Sequence, residues 1–170
     1  LSRADVALVR GAAHDARADE TVSGWPVRLL CALTVASYVL AGVAKLKASG
    51  PAWMEGEILR NYIAYDALRK AQVGSLHSPL GAWLVQYSAP FLPIGVLTMV
   101  LELLGPLALA RRALSRGWAV GIYGFHVGVL ATMAIAFPYP LSGVAFASFF
   151  DCERLWATKL LAPVRRFLER

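Results

Sequence analysis

The chain has 170 residues, 58% of them hydrophobic and only 16% charged, against roughly 25% charged in an ordinary soluble domain. The apolar residues gather in long runs, which argues against a conventional soluble fold and points to one membrane domain of about four helices. The formal net charge of +6 does not point to nucleic acid. The arginines flank apolar runs, where positive charge orients membrane helices, and no nucleic-acid motif accompanies them.

Residues 1–24 are a polar, partly helical lead-in. Arg3, Asp5, Arg10, Asp15, Arg17, Asp19 and Glu20 interrupt it too often for a secretory signal peptide. Trp25-Pro26 opens the first span, since Trp favours the interface and Pro suits a first helical turn. The span runs to about Leu46, and Gly50-Pro51 breaks the chain. Residues 53–73 place apolar groups at helical spacing among Glu55, Glu57, Arg60, Asp66, Arg69 and Lys70. That pattern predicts an amphipathic helix lying at the interface. Residues 74–79 form a loop, and residues 80–89 are a short apolar half-helix.

Residues 91–110 are a second span, containing Pro93, Pro106 and one acid, Glu102. Residues 117–137 are a third, carrying His126 and closed by Pro138 and Pro140. Residues 141–150 open a fourth apolar segment, either a short span or a helix tilting out at the interface. A basic amphipathic tail occupies residues 151–170, suited to a protein partner or to anionic lipid. The loop holding Arg111, Arg112 and Arg116 is short and purely basic, so it is expected on the cytoplasmic side of a multi-pass cell (inner) membrane protein. Arg28 and the tail then fall on the same side, with Lys45 and the amphipathic helix outside.

Three ionisable groups lie in or at the edge of spans: Lys45, Glu102 and His126. Such groups usually face the interior of a bundle and are default functional candidates. Lys45 ends an uncharged run over residues 29–44. It can snorkel to the interface beside Lys47, or serve as a general base if desolvated. Glu102, between Leu101 and Leu103, calls for a cation, Lys45 or His126, or for a neutral interhelical hydrogen bond. His126 sits among Gly121, Gly124 and Gly128, which let helices approach closely. It is either a proton relay or ligand contact, or a satisfied core histidine. Trp53 and Glu57 could line a headgroup-level pocket, or Trp53 could simply anchor the interface. His14 and His77 lack metal-ligand spacing with His126, so no metal is expected. Cys31 lies in an apolar run as a small hydrophobe, far from Cys152 and in no CxxC.

The order Tyr38-Val-Leu-Ala-Gly-Val-Ala-Lys45-Leu46, Trp53-Met-Glu-Gly56-Glu57, Glu102 and Phe125-His126 resembles the HTTM domain family. That family includes the membrane part of vitamin K-dependent gamma-carboxylase. The resemblance covers residues 25–150, and the shorter AG-x-x-KL phrase is shared by DoxX-like and MauE-like four-helix membrane proteins. It implies an all-α integral membrane helix bundle with three to four spans and an interfacial amphipathic helix. It further implies Lys45 as the base acting on a quinone-type substrate, His126 as a second site residue, and Glu102, Trp53 and Glu57 in support. The carboxylase has further membrane helices ahead of this region and a large extracytoplasmic domain after it. What carries over is therefore the lipophilic, quinone-like pocket rather than protein carboxylation. The alternative is a non-enzymatic membrane scaffold, an assembly factor, or a subunit of a transport or processing complex.

Overall fold

The computed structural model describes residues 3–150, with side chains from Trp25 onward. The tail at 151–170, including Cys152, lies outside the described residues, as do the side chains of the lead-in. Six α-helices follow in order: α1 (Arg3–Ser49), α2 (Glu57–Gln72), α3 (Pro79–Leu84), α4 (Phe91–Leu103), α5 (Arg112–Met133) and α6 (Pro138–Leu141). Short 3-10 helices occupy Gly50–Trp53, Gly105–Leu109 and Val144–Phe149. No strand occurs among the described residues. The expected all-α class holds.

The boundaries differ from the sequence expectation in instructive ways. α1 does not begin at Pro26 but runs through it. A proline inside a helix removes one backbone hydrogen bond, and helix-forming residues on both sides carry the helix across. α1 ends where Gly50 turns left-handed (φ +60°) and Pro51 follows. The next left-handed residue, Gly56 (φ +85°), delays the start of α2 to Glu57. α4 stops at Leu103, because Pro106 has no N–H to continue an α-helix, and the chain tightens into the Gly105–Leu109 turn. The apolar segment at 141–150 is no long helix: Gly143 (φ +77°) breaks it, and Val144–Phe149 winds as a 3-10 helix.

Small residues set the packing of α1, α4 and α5. A Cβ on Gly42 would sit 3.0 Å from the Glu102 Cβ, and one on Gly105 would sit 3.2 Å from Val35. A Cβ on Gly95 would lie 2.9 Å from the Trp53 carbonyl oxygen. Residues 35, 42 and 53 thus meet 105, 102 and 95 in turn, so α4 runs antiparallel to α1. Trp118 donates its Nε1–H to the Leu101 carbonyl at 2.7 Å, and Tyr38 packs on both Trp118 and His126. Lys45 lies near the Phe125 ring at 5.7 Å, so residues 38 and 45 meet 118 and 125 in turn and α5 runs alongside α1 in the same direction. Where the three meet, Val35, Ala108, Trp118, Ala119, Ile122, Ala145, Phe146 and Phe149 form the core.

The outward faces are apolar too. Leu33 and Leu40 of α1 are 58% and 68% exposed, and Leu97, Val120 and Leu130 also face outward. Among the described residues one helical stretch, Trp25–Trp53, is long and apolar enough to cross a membrane, and only 11% of its most apolar window is buried. A core helix of a soluble protein would be mostly buried.

Candidate functional site

Tyr38, Gly42 and Lys45 are spaced i, i+4, i+7 on α1 and therefore share one helical face. That face meets α4 at Glu102. Because Gly42 has no side chain, the helices come close enough for the Lys45 ammonium to reach the Glu102 carboxylate. Lys45 Nζ pairs with Glu102 Oε1. The glutamate side chain is 3% exposed and the lysine 22%. The carboxylate is thus cut off from water, while the lysine stem lies along its edge.

The ammonium also has aromatic walls. It lies 5.2 Å from the Trp53 ring centroid and 5.7 Å from that of Phe125, within range of a favourable cation–π contact. Trp53 is held by a tilted contact with Tyr62 at 5.7 Å. Its Nε1 and the second glutamate oxygen, Oε2, are both buried without a hydrogen-bond partner. Buried polar atoms are normally paired, so two orphans around one ammonium are informative.

His126 stands next to this group, one residue after Phe125. Its Nε2 is 2.7 Å from the Tyr38 hydroxyl. A Tyr38 O–H donating to Nε2 leaves the proton of the neutral ring on Nδ1, and Nδ1 is buried without a partner. Phe125 and Phe137 flank the ring edge-on, each at 5.3 Å between centroids. Tyr38 continues into the core through Trp118 at 5.5 Å and Phe146 at 6.5 Å. Phe146 in turn lines an open cleft of about 230 Å³ with Ala119, Val120, Tyr123, Gly143 and Phe150. Apart from the Tyr123 hydroxyl, these side chains are hydrocarbon.

The structure therefore brings Lys45, Glu102 and Trp53 together. It sets His126 beside them on a hydrogen bond to Tyr38 rather than to either charged group. Glu57 stands apart: it is exposed at the start of α2, 3.2 Å from Arg60. Tyr38, Phe125 and Phe137 are site residues that composition did not single out. The signal for Tyr38 was its seven-residue spacing from Lys45.

A second polar cluster fastens the end of α5. Asp66 is buried on α2, 2.9 Å from Lys70 and 3.2 Å from Arg69. Burial alone would raise its pKa, but the hydrogen bonds and charges of Lys70 and Arg69 outweigh that and hold the carboxyl below its usual value. Lys70 also donates to the Met133 carbonyl and Ser78 to that of Ala131. A Cβ on Gly81 would lie 1.9 Å from the Thr132 carbonyl oxygen. These contacts cover the last carbonyls of α5, which have no intrahelical partners. Among the described residues no group of three or more His, Cys, Asp or Glu is placed to hold a metal ion.

Compared with family models, curated proteins and solved structures, the chain matches none.

Proposed function

We propose that this chain is a multi-span membrane protein of the HTTM type whose bundle binds a lipophilic ligand with a quinone- or hydroquinone-like head. The observation that carries the reading is the Lys45–Glu102 ion pair on an apolar helix, with Glu102 Oε2, Trp53 Nε1 and His126 Nδ1 buried and unpaired around it. A charge pair in an apolar bundle is costly to maintain and usually marks a ligand or proton path.

The lengths support three spans. Trp25–Trp53 has 29 residues, or about 44 Å at helical rise, and α5 has 22, about 33 Å, against roughly 30 Å of hydrocarbon. α4 alone has 13 residues, only about 20 Å. The Gly105–Leu109 turn adds about 10 Å and completes the crossing. The six residues of Val144–Phe149 reach about 12 Å, too short for a fourth span. α1 and α5 run in the same direction, so Arg28 and the cations at 111, 112 and 116 lie at one end of the bundle, the cytoplasmic end by the positive-inside rule.

The unpaired atoms define the head the site would accept. Glu102 Oε2 takes a donor, such as a hydroquinone O–H, while Trp53 Nε1–H and a protonated His126 Nδ1 take acceptors, such as a carbonyl. The Lys45–Glu102 pair would act as one unit: Oε2 receives the ligand proton, and the ammonium offsets the charge developing on the ligand oxygen. The cleft beyond Phe146 would take a hydrocarbon tail.

The test is a binding titration of a short-chain quinone and its hydroquinone to the detergent-purified protein, comparing wild type with Lys45→Ala and His126→Ala. Saturable binding lost in both variants is expected. Equal binding by all three, or none by folded wild type, removes the reading. A scaffold role is the second reading, favoured by Lys45 and Glu102 already pairing with each other across α1 and α4. It predicts that their loss lowers stability without touching any ligand.

A further inference from the structure

We propose that residues 73–90, between α2 and α4, form a wedge embedded in the membrane interface at the extracytoplasmic end of the bundle, with the lipid bilayer itself as its partner. This rests on the membrane reading above but is independent of any ligand.

Composition gives the first reason. From Ala71 to Leu101 the chain contains no Asp, Glu, Lys or Arg, although α2 carries five such residues just before it. A surface connection facing water would ordinarily be polar. Exposure gives the second. Leu76 is 80% exposed and Trp83 53%, and Leu80 and Tyr87 are also exposed. Trp83 and Tyr87 lie against one another at 5.2 Å between centroids, a paired arrangement of the two residue types that favour the lipid–water boundary.

Position gives the third. The segment is pinned across the C-terminal turn of α5 by Ser78 on the Ala131 carbonyl and by the close approach of Gly81 to Thr132. Arg60 Nε donates to the Val85 carbonyl at 2.7 Å, which fixes the other side of the segment to α2. The segment therefore sits at the depth where α5 ends. Along α5, Val120, Tyr123, Val127 and Leu130 form an outward apolar stripe at i, i+3, i+7, i+10, which is one helical face. That stripe runs toward the end of α5 that α3 covers, so the apolar surface continues from a span onto the wedge. The backbone of the wedge is partly supplied with partners: the Ser78 hydroxyl accepts from Gly81 N–H at 3.1 Å, and the Val85 carbonyl is met by Arg60. Irregular backbone at membrane depth is tolerated only where protein or interfacial water satisfies it.

The experiment places single cysteines at Leu76, Leu80 and Trp83 in a Cys31→Ala/Cys152→Ala full-length protein, spin-labels them, and reconstitutes the protein in phosphatidylcholine vesicles. Leu33→Cys on the α1 span is the lipid control and Glu55→Cys the water control. Collision with oxygen should exceed collision with a neutral nickel chelate at 76, 80 and 83, as at Leu33→Cys and opposite to Glu55→Cys. Nickel-dominated collisions at 76, 80 and 83, with Leu33→Cys still lipid-like, overturn the wedge and leave the span intact. Shielding of all three from both quenchers means a protein covers the surface and also overturns it. A water-like Leu33→Cys overturns the membrane reading beneath it.

Discussion

Removing the Lys45 side chain while keeping its bulk, as in Lys45→Met, tests the ion pair most sharply. The pair is asymmetric: Glu102 is 3% exposed and Lys45 22%. Losing the lysine strands a carboxylate that has one oxygen already without a partner. Stranding one member of a buried pair costs about 3–5 kcal/mol, and partial access of water to the lysine side places Lys45→Met near the lower end, about 3 kcal/mol. Glu102→Gln strands instead an ammonium that can swing toward water, and should cost only about 1–2 kcal/mol. Replacing both, Lys45→Met with Glu102→Leu, removes the desolvation cost along with the attraction and should fall within about 1 kcal/mol of wild type. With the single Glu102→Leu protein added, wild type, Lys45→Met, Glu102→Leu and the double variant form a double-mutant cycle, read by reversible unfolding in mixed micelles titrated with a denaturing detergent. The expected coupling is about 2 kcal/mol or more. Equal, sub-half-kilocalorie effects of both single changes with no coupling, roughly the scale of an unpaired surface lysine, would mean that Lys45 snorkels and that the site has no charged centre.

Gly56→Ala and Gly50→Ala separate conformational strain from collision. Both glycines are left-handed, but a Cβ at 56 would lie 2.3 Å from the Phe91 backbone, whereas none would meet anything at 50. Gly50→Ala should cost about 1 kcal/mol, and Gly56→Ala about 3 kcal/mol or more, in the same unfolding assay. Tyr38→Phe leaves His126 Nε2 buried without its 2.7 Å partner and should lower stability by about 1–3 kcal/mol. Asp66 sets an acid dependence. Its folded pKa lies below its unfolded value, so its contribution is full above about pH 4 and fades as pH falls through the folded value. Stability measured from pH 6 down to pH 3 should therefore fall less steeply for Asp66→Asn than for wild type, and parallel curves would refute the assignment.

Much of the helical order was legible because apolar runs and breakers dominate it. Gly50-Pro51 ends α1 as expected, whereas residues 91–110 read as one span in sequence and Pro106, with no N–H to continue the helix, stops α4 at Leu103. The pairing of Lys45 with Glu102 was legible as one of two choices, since a deep carboxylate needs a cation. What decided between Lys45 and His126 was the Gly42 contact, which brings α1 onto α4 and is invisible in periodicity. Tyr38 escaped notice because a tyrosine in an apolar run looks like packing until His126 is seen opposite it. Asp66 looked like one more charge on a solvated face. In the fold it is buried, and Lys70 beside it turns to the Met133 carbonyl at the end of α5. The unbroken passage of α1 through Pro26 was not legible either, because proline at a helix start and proline inside a helix look alike in sequence.

The measurement that bears most directly on the account is photolabelling in native-like membranes with a diazirine-bearing quinone analogue, followed by peptide mapping. The account predicts cross-links on Trp53, Phe125 or Tyr38, competed by unlabelled quinone and lost in Lys45→Ala. Cross-links confined to the lipid-facing residues of α1, unchanged by competitor or by that substitution, would contradict it.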